Sequence, residues 1–298
     1  MNVKEIILPQ KIRVSAGSAI VLELLKGKID AEPTTVYLLT HRESKCQANC
    51  GFCPQARTST SRADMLSRVT WPTFPTDQVI SKVGVATEKN KIKRVCIQTL
   101  NYLEVFNDIL NLTVAIKSSA KIPISVSCQP LSHAQMQKLA KAGVDRISIA
   151  LDAATRKLFD KVKGILTQSP YTWENQLQAL EKAVNVFGRN AVYTHLIAGL
   201  GETEQEMIEA IQWCVDVGVY PSLFAFTPIP GTTLETLPQP SIESYRRIQL
   251  ARHLIVHGKA CFKSMKFNEN GSVVDFGVPM QKLEKTIESG NPFYTSGC

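Results

Sequence analysis

The chain has no run of about 18 apolar residues, so no helix of membrane-spanning length is expected. Its first stretch, MNVKEIILPQKIRVSAGSAIVLELL, carries charges through its first half and holds no secretion signal. The expected setting is the cytoplasm, where a disulfide framework does not explain eight cysteines. Neither a long basic block nor a basic motif interleaved with aromatics is present, although net charge is +8. The scattered Lys and Arg argue against nucleic acid and suit a small anionic cofactor or an acidic protein partner. No G-x-G-x-x-G follows the first apolar run, which disfavours a dinucleotide-binding domain. Internal repeats, low-complexity tracts and an obvious linker are missing too. The 298 residues, 44% of them hydrophobic, therefore read as one large or two ordinary domains with a substantial core.

What is present is alternation. Apolar runs rich in β-branched residues recur as TTVYLLT (34–40), RVCIQTL (94–100), ISVSC (124–128), RISIALD (146–152), AVYTHLIAGL (191–200) and PSLFAFTP (221–228). ACFKSM (260–265) and SVVDFG (272–277) are weaker. Amphipathic stretches lie between them. In SHAQMQKLAKAGV, Met136, Leu139 and Ala140 share a face, and Gly143 marks the stop. In TEQEMIEAIQWCVDVG, Thr203 and Glu206 form a capping pattern, with Gly218 at the end. Strands alternating with helices mean parallel pairing through crossovers. Near-continuous apolar strands mean burial on both faces. Up to eight such units fit an α/β fold of the (β/α)8 TIM-barrel type, complete or nearly complete. A doubly wound open sheet is the runner-up. Residues 1–33 read as an N-terminal helical extension, 34–278 as the barrel and 279–298 as an irregular C-terminal tail.

The stretch KCQANCGFCPQAR spaces Cys46, Cys50 and Cys53 as C-x3-C-x2-C. It follows the first strand directly, at the strand end where barrels build active sites. A structural zinc site closes with four ligands. The next cysteine, Cys96, is far along the chain and inside a strand pattern, and His41 is the other nearby donor. Three thiolates suit an iron–sulfur cluster with one iron left open for an external ligand. Arg57 and Arg62 follow the loop, where a carboxylate contact and a solvated face are both open readings. His195 reads as a packed strand histidine and Cys214 as core.

This pattern, with Phe52 just before the last cysteine, resembles the radical S-adenosylmethionine superfamily. The resemblance runs over roughly residues 35 to 278 and implies a [4Fe-4S] cluster held by Cys46, Cys50 and Cys53. S-adenosyl-L-methionine would chelate the open iron and be cleaved to a deoxyadenosyl radical that abstracts hydrogen. Gln98 and Thr99 stand where the family often has a G-G-E motif for the methionine amine. Asp152, ending RISIALD, stands where biotin synthase contacts the cofactor ribose; strand-end capping is the structural alternative. HLIAGLGETEQEM places Ile197, Ala198 and Leu200 in the region that meets adenine, and makes Glu202 structural.

Within the superfamily the resemblance is to biotin-synthase-like proteins. CGFCPQARTSTSRADMLSRVTWP and RISIALDAATRKLFDKVKG look most like a component of a two-protein, largely archaeal lipoyl synthase. Biotin synthase holds its second cluster with three cysteines and an arginine on successive strands. Here Cys96 matches the first, Cys128 matches the second only with a shift, and Tyr193 stands at the third, which disfavours biotin synthase proper. The lipoyl-synthase resemblance implies an auxiliary [4Fe-4S] cluster as sulfur donor, with Cys261 and Cys298 as candidate ligands. It also implies an octanoylated lipoyl-carrier protein as substrate, a second radical enzyme of the same pathway, and an electron donor such as ferredoxin. Nucleic acid and membrane are not expected partners. The alternatives are a biotin synthase or hydrogenase-maturation relative, and a non-catalytic zinc-binding protein.

Overall fold

The computed structural model describes residues 7–294. They form two compact units, one of the residues up to Ser148 with Ile229–Thr233, the other of Ile149–Pro228 with the chain from Leu234 on.

The first unit runs β1 (Lys11–Val14), α1 (Ala16–Val21), β2 (Thr35–Thr40), the short ribbon of β3 (Met65–Leu66) and β4 (Val69–Thr70), and β5 (Thr73–Pro75). It continues with α2 (Thr76–Glu88), β6 (Arg94–Gln98), α3 (Val105–Ser119), β7 (Ile124–Ser127), α4 (His133–Ala142) and β8 (Val144–Ser148). Its strands lie in the order β8-β7-β6-β2-β1-β5. β2, β6, β7 and β8 are parallel, as their helical crossovers require. β1 is antiparallel to both β2 and β5. The helical extension expected over residues 1–33 is therefore partly strand. Lys-Ile-Arg-Val at 11–14 is too short and too β-branched to hold a helix, and it buries Ile12 and Val14.

The second unit contains α5 (Arg156–Val162), α6 (Trp173–Phe187), β9 (Val192–Ala198), α7 (Glu204–Val217), β10 (Val219–Ala225), α8 (Ile242–Val256), β11 (Lys266–Phe267), β12 (Val273–Asp275) and α9 (Met280–Glu288). β9 and β10 pair in parallel, from Val192 with Val219 to Ala198 with Ala225. Asp152 adds a parallel bridge to Leu196. ACFKSM is not a strand: Phe262–Ser264 is a 3-10 turn. SVVDFG gives β12, which pairs with β11 in a separate two-stranded ribbon. Among the described residues, six of the strands are thus parallel β/α strands. The late segments lack the apolar length to become two more.

The strands are also less apolar than expected. Val95, Ile97, Ile124 and Val126 are fully buried on one face, each worth about 1.5–3 kcal/mol. The alternate residues Cys96, Gln98, Ser125 and Ser127 make the opposite face polar, and register places Cys96 beside Ser125 and Ser125 beside Arg146. The helix limits follow the sequence. Ser132 with Gln135 and Thr203 with Glu206 form reciprocal capping boxes, and Gly143 and Gly218 end their helices left-handed. No described helix is long and apolar enough to cross a membrane.

Candidate active site

The cysteine loop leaves the C-terminal end of β2 and folds back on itself. The Cys46 N–H donates to Gln55 O at 3.0 Å, Cys53 N–H to Cys50 O at 3.0 Å, and Ala56 N–H to Cys53 O at 3.0 Å. All three cysteines are half-exposed. The Asn101 N–H donates to Cys46 Sγ at 3.1 Å, a contact that favours a thiolate there.

Two side chains that sequence reasoning missed hold this loop, the half-buried Lys45 and the buried Arg13. Lys45 Nζ donates to the carbonyls of Pro54 (3.0 Å), Ser59 (2.5 Å) and Ser61 (2.9 Å). Burial lowers the Lys45 pKa, and negative charge on Cys53 raises it again, so a cation stands near that sulfur. Arg13, from β1, donates to Gln55 Oε1 (3.0 Å) and Ala63 O (2.7 Å), while Gln55 Nε2 donates to Ala63 O and Met65 O. Nothing in the periodicity marks these residues. Lys45 was visible only as the neighbour of Cys46, and Arg13 lay in a stretch expected to be helix.

The open readings for the two arginines resolve. Arg62 makes a forked pair with Asp64 at 3.0 and 2.7 Å, and Arg57 donates to Gln47 O at 3.2 Å inside the loop. Phe52 is half-buried in the Cys50–Cys53 turn. Gln98 ends β6 level with Leu39 and Ser127. Thr99 Oγ1 lies 3.3 Å from both Ser127 O and Gln129 Oε1. These groups all belong to the first unit.

Asp152, Ile197, Ala198 and Leu200 belong to the second. Asp152 is buried at 6% exposure with φ +67, a left-handed conformation that aspartate tolerates better than most residues. Its Oδ2 accepts from Lys163 Nζ at 2.6 Å, and the same ammonium donates to Ala150 O. The carboxylate is therefore fixed by an ion pair with a residue eleven positions on, which no motif marks. Ile197 N–H donates to Asp152 O at 2.8 Å. Glu202 accepts from Gly199 N–H (2.6 Å) and Leu200 N–H (3.1 Å), which is the structural role expected of it. Burial pushes the Glu202 pKa up, against these N–H groups. With these three amides engaged inside the protein, contact with a ligand at this turn is left to carbonyls and packing. Ala198 and Leu200 are buried. His195 packs edge-on to Phe224 at 5.2 Å, as a strand histidine should.

The remaining cysteines differ in kind. Cys96, Cys128 and Cys214 are buried, and burial pushes the Cys128 thiol up to about 12. Cys128 lies three residues past Ser125, the partner of Cys96, so it is out of phase with the face that Cys96 occupies. Cys261 is exposed and is not on a strand. It precedes the 3-10 turn, and the next residue, Phe262, donates its N–H to Gln212 Oε1 in the second half of α7. Cys298 lies outside the described residues. Among the described residues no three His, Cys, Asp or Glu side chains are grouped as a metal site. The donor chemistry of the loop nevertheless fits an iron–sulfur cluster, with three half-exposed sulfurs on one latched segment, one of them accepting a backbone N–H.

Against known families, residues 44–214 match the Radical SAM superfamily. The biotin synthase of Sulfurihydrogenibium sp. (strain YO3AOP1) is 26% identical over 204 residues, covering 66% of this chain and 56% of that protein. The biotin synthase of Desulforudis audaxviator (strain MP104C) is 26% identical over 223 residues, covering 73% and 64%. The matched region is thus somewhat over half the length of these relatives. Among solved structures, methylornithine synthase superposes with a TM-score of 0.60 at 14% identity, over 81% of this chain and 67% of that one. The FeFe-hydrogenase maturase of Carboxydothermus hydrogenoformans gives 0.57 at 16% identity, over 81% and 55%. At such identities the likeness is one of fold, and it is the TIM-type α/β fold expected from the strand–helix alternation.

Proposed function

The chain belongs to the Radical SAM superfamily, and from that premise we propose that it is a biotin-synthase-like radical S-adenosylmethionine enzyme that inserts sulfur into an unactivated C–H bond. The observation that carries the radical chemistry is the latched loop of Cys46, Cys50 and Cys53. Those three thiolates would hold the [4Fe-4S] cluster, which together with S-adenosyl-L-methionine supplies the hydrogen-abstracting radical. Lys45, Arg13 and Gln55 fix the loop backbone, which limits the rearrangement the three sulfurs would need to hold a cluster. The Asn101 N–H and the Lys45 charge stabilise negative charge on the sulfurs. By the family resemblance Phe52, Gln98 and Thr99 would contact the cofactor. The same resemblance gives Asp152, held in place by Lys163, the role of accepting ribose hydroxyls, and Ile197, Ala198 and Leu200 that of packing against adenine.

We infer an octanoyl or mercapto-octanoyl chain on a lipoyl-carrier protein as the substrate. The support is the resemblance of CGFCPQARTSTSRADMLSRVTWP and RISIALDAATRKLFDKVKG to lipoyl-synthase components, and a net charge of +8 that suits an acidic carrier domain. A second radical enzyme of the pathway and a ferredoxin-like electron donor complete the proposal. The sulfur would come from an auxiliary [4Fe-4S] cluster with Cys261 and Cys298 among its ligands.

Biotin synthesis is the second reading, favoured by the curated relatives. Against it stand Ser125 beside Cys96, a Cys128 thiol that is out of phase and pushed up to about 12, and Tyr193 at the third cysteine position. Product mass spectrometry on octanoyl and mercapto-octanoyl peptides, with and without a partner protein, separates the readings. Gain of one sulfur on either peptide is expected. Deoxyadenosine formed with neither peptide modified would remove the lipoyl assignment and leave the radical chemistry standing.

A further inference from the structure

The second unit carries a concavity that shares no residue with the candidate site. It has a volume of about 620 Å³ and is lined by Arg252, His253, His257 and Lys259 together with Tyr220, Asn291 and Tyr294. It lies toward the start of β10. Tyr220 pairs with Tyr193, five residues before the Ala225–Ala198 pair that ends the two strands, which is about 16 Å along the strand.

The basic groups converge. The rings of His253 and His257, one turn apart at the end of α8, have centroids 4.3 Å apart. Lys259 Nζ lies 3.3 Å from His253 Nε2. Arg252, only 7% exposed, is pinned by its Nε donating to Pro221 O at 2.6 Å and by its guanidinium lying 5.0 Å over the Tyr220 ring. Among the described residues, no aspartate or glutamate lines it. The C-terminus of α8 accounts for part of this, since a helix end carries about half a negative elementary charge. Two full cations and two imidazoles exceed that need. The crowding is felt within the group: burial first, then His257, Lys259 and Arg252, push the His253 pKa down to about 4. His253 is thus a neutral hydrogen-bonding group at pH 7 beside two fixed charges.

We propose that this cavity binds a phosphate-bearing small molecule. The volume is in the range of about 300–1,000 Å³ that ligand sites occupy. Lys259 supplies a point charge suited to phosphate, the rings of His253 and His257 add hydrogen-bonding groups, and the fixed charge of Arg252 raises the local positive potential. Tyr294, 75% exposed at the rim, offers an aromatic face to an organic portion.

Calorimetric titration of the full reconstituted chain tests this, with S-adenosylmethionine saturating so that the candidate active site does not compete. Orthophosphate, pyrophosphate and a nucleoside diphosphate are the probes. Pyrophosphate should saturate one site per chain, and tighter binding of the nucleoside diphosphate would mark an organic phosphate as the natural class. His257→Gln and Lys259→Gln, each checked for an unchanged melting curve, should weaken pyrophosphate at least about tenfold, the loss expected for removing a charge-assisted contact. Absence of saturable binding would overturn the proposal, as would binding that neither variant changes. Binding only of an acidic carrier protein, lost in the variants, would overturn it in favour of a docking surface. None of these outcomes depends on turnover, so the proposal stands or falls apart from the proposed radical reaction.

Discussion

At the scale of single residues, two positions give sharp expectations. Gly199 has φ +99, and a Cβ there would lie 2.6 Å from Pro240 Cδ. Gly188 has φ +86 but open space around it. Gly188→Ala should therefore cost only the backbone strain, about 1–3 kcal/mol. Gly199→Ala adds the clash and should cost about 2–4 kcal/mol. Urea denaturation of both variants checks the order, and equal costs would contradict it. Glu204 is the other position. Its carboxylate takes a fork from Arg247 (2.6–3.1 Å) and the Val273 N–H at 2.9 Å, tying the start of α7 to α8 and β12. Burial opposes ionisation, but Arg247 and Val273 outweigh it and hold the pKa below the ordinary 4.5. A depressed carboxylate contributes stability above its unfolded pKa and loses it as pH falls through the folded one. Glu204→Gln should cost about 2 kcal/mol at pH 7, discounted for the partly exposed Arg247. The gap to wild type should narrow below pH 4.5; a gap independent of pH would mean that the ion pair is not the cause. Thr203 and Glu206 were legible as a helix start from their spacing alone. Glu204 was not, because its partners Arg247 and Val273 are remote in sequence.

Elements carry the next set of claims. The cysteine spacing was readable because three thiols on one short loop are rare without a metal to hold. The latch around it was not, since Lys45 bonds carbonyls and carbonyls leave no mark in a sequence. Lys45→Met should leave the fold intact, judged by circular dichroism, yet speed loss of cluster iron to a chelator several-fold, because three hydrogen bonds worth about 1 kcal/mol each hold the loop. An unchanged rate would show that the loop is rigid without it. Strands of the parallel type were legible from β-branched runs, whereas ACFKSM misled. Its Phe262 opens a 3-10 turn tied to α7, and a short apolar run alone does not separate turn from strand. That turn leaves Cys261 exposed beside α7. Cys261→Ala should lower iron from about eight to about four per chain if it serves an auxiliary four-iron cluster. Iron held at the wild-type level would take Cys261 out of that role.

At the scale of the whole molecule, family and fold agree with what alternation and the cysteine loop foretold. Which substrate the chain acts on was less legible, because the cysteines proposed to bear on it, Cys261 and Cys298, are far apart and form no spacing motif. A net charge of +8 should make association with an acidic carrier domain fall steeply with salt. Raising ionic strength from about 0.01 M to 0.15 M shortens the screening length from about 30 to 8 Å. A salt-independent association rate would indicate that charge does not steer the partner. The central claim is that Cys46, Cys50 and Cys53 together make the radical centre, and its most direct test is deoxyadenosine formation by anaerobically reconstituted protein given S-adenosylmethionine and dithionite. Wild-type protein should produce deoxyadenosine and a variant with all three cysteines changed to Ala should produce none, whereas deoxyadenosine from the triple variant at the wild-type rate would contradict the account.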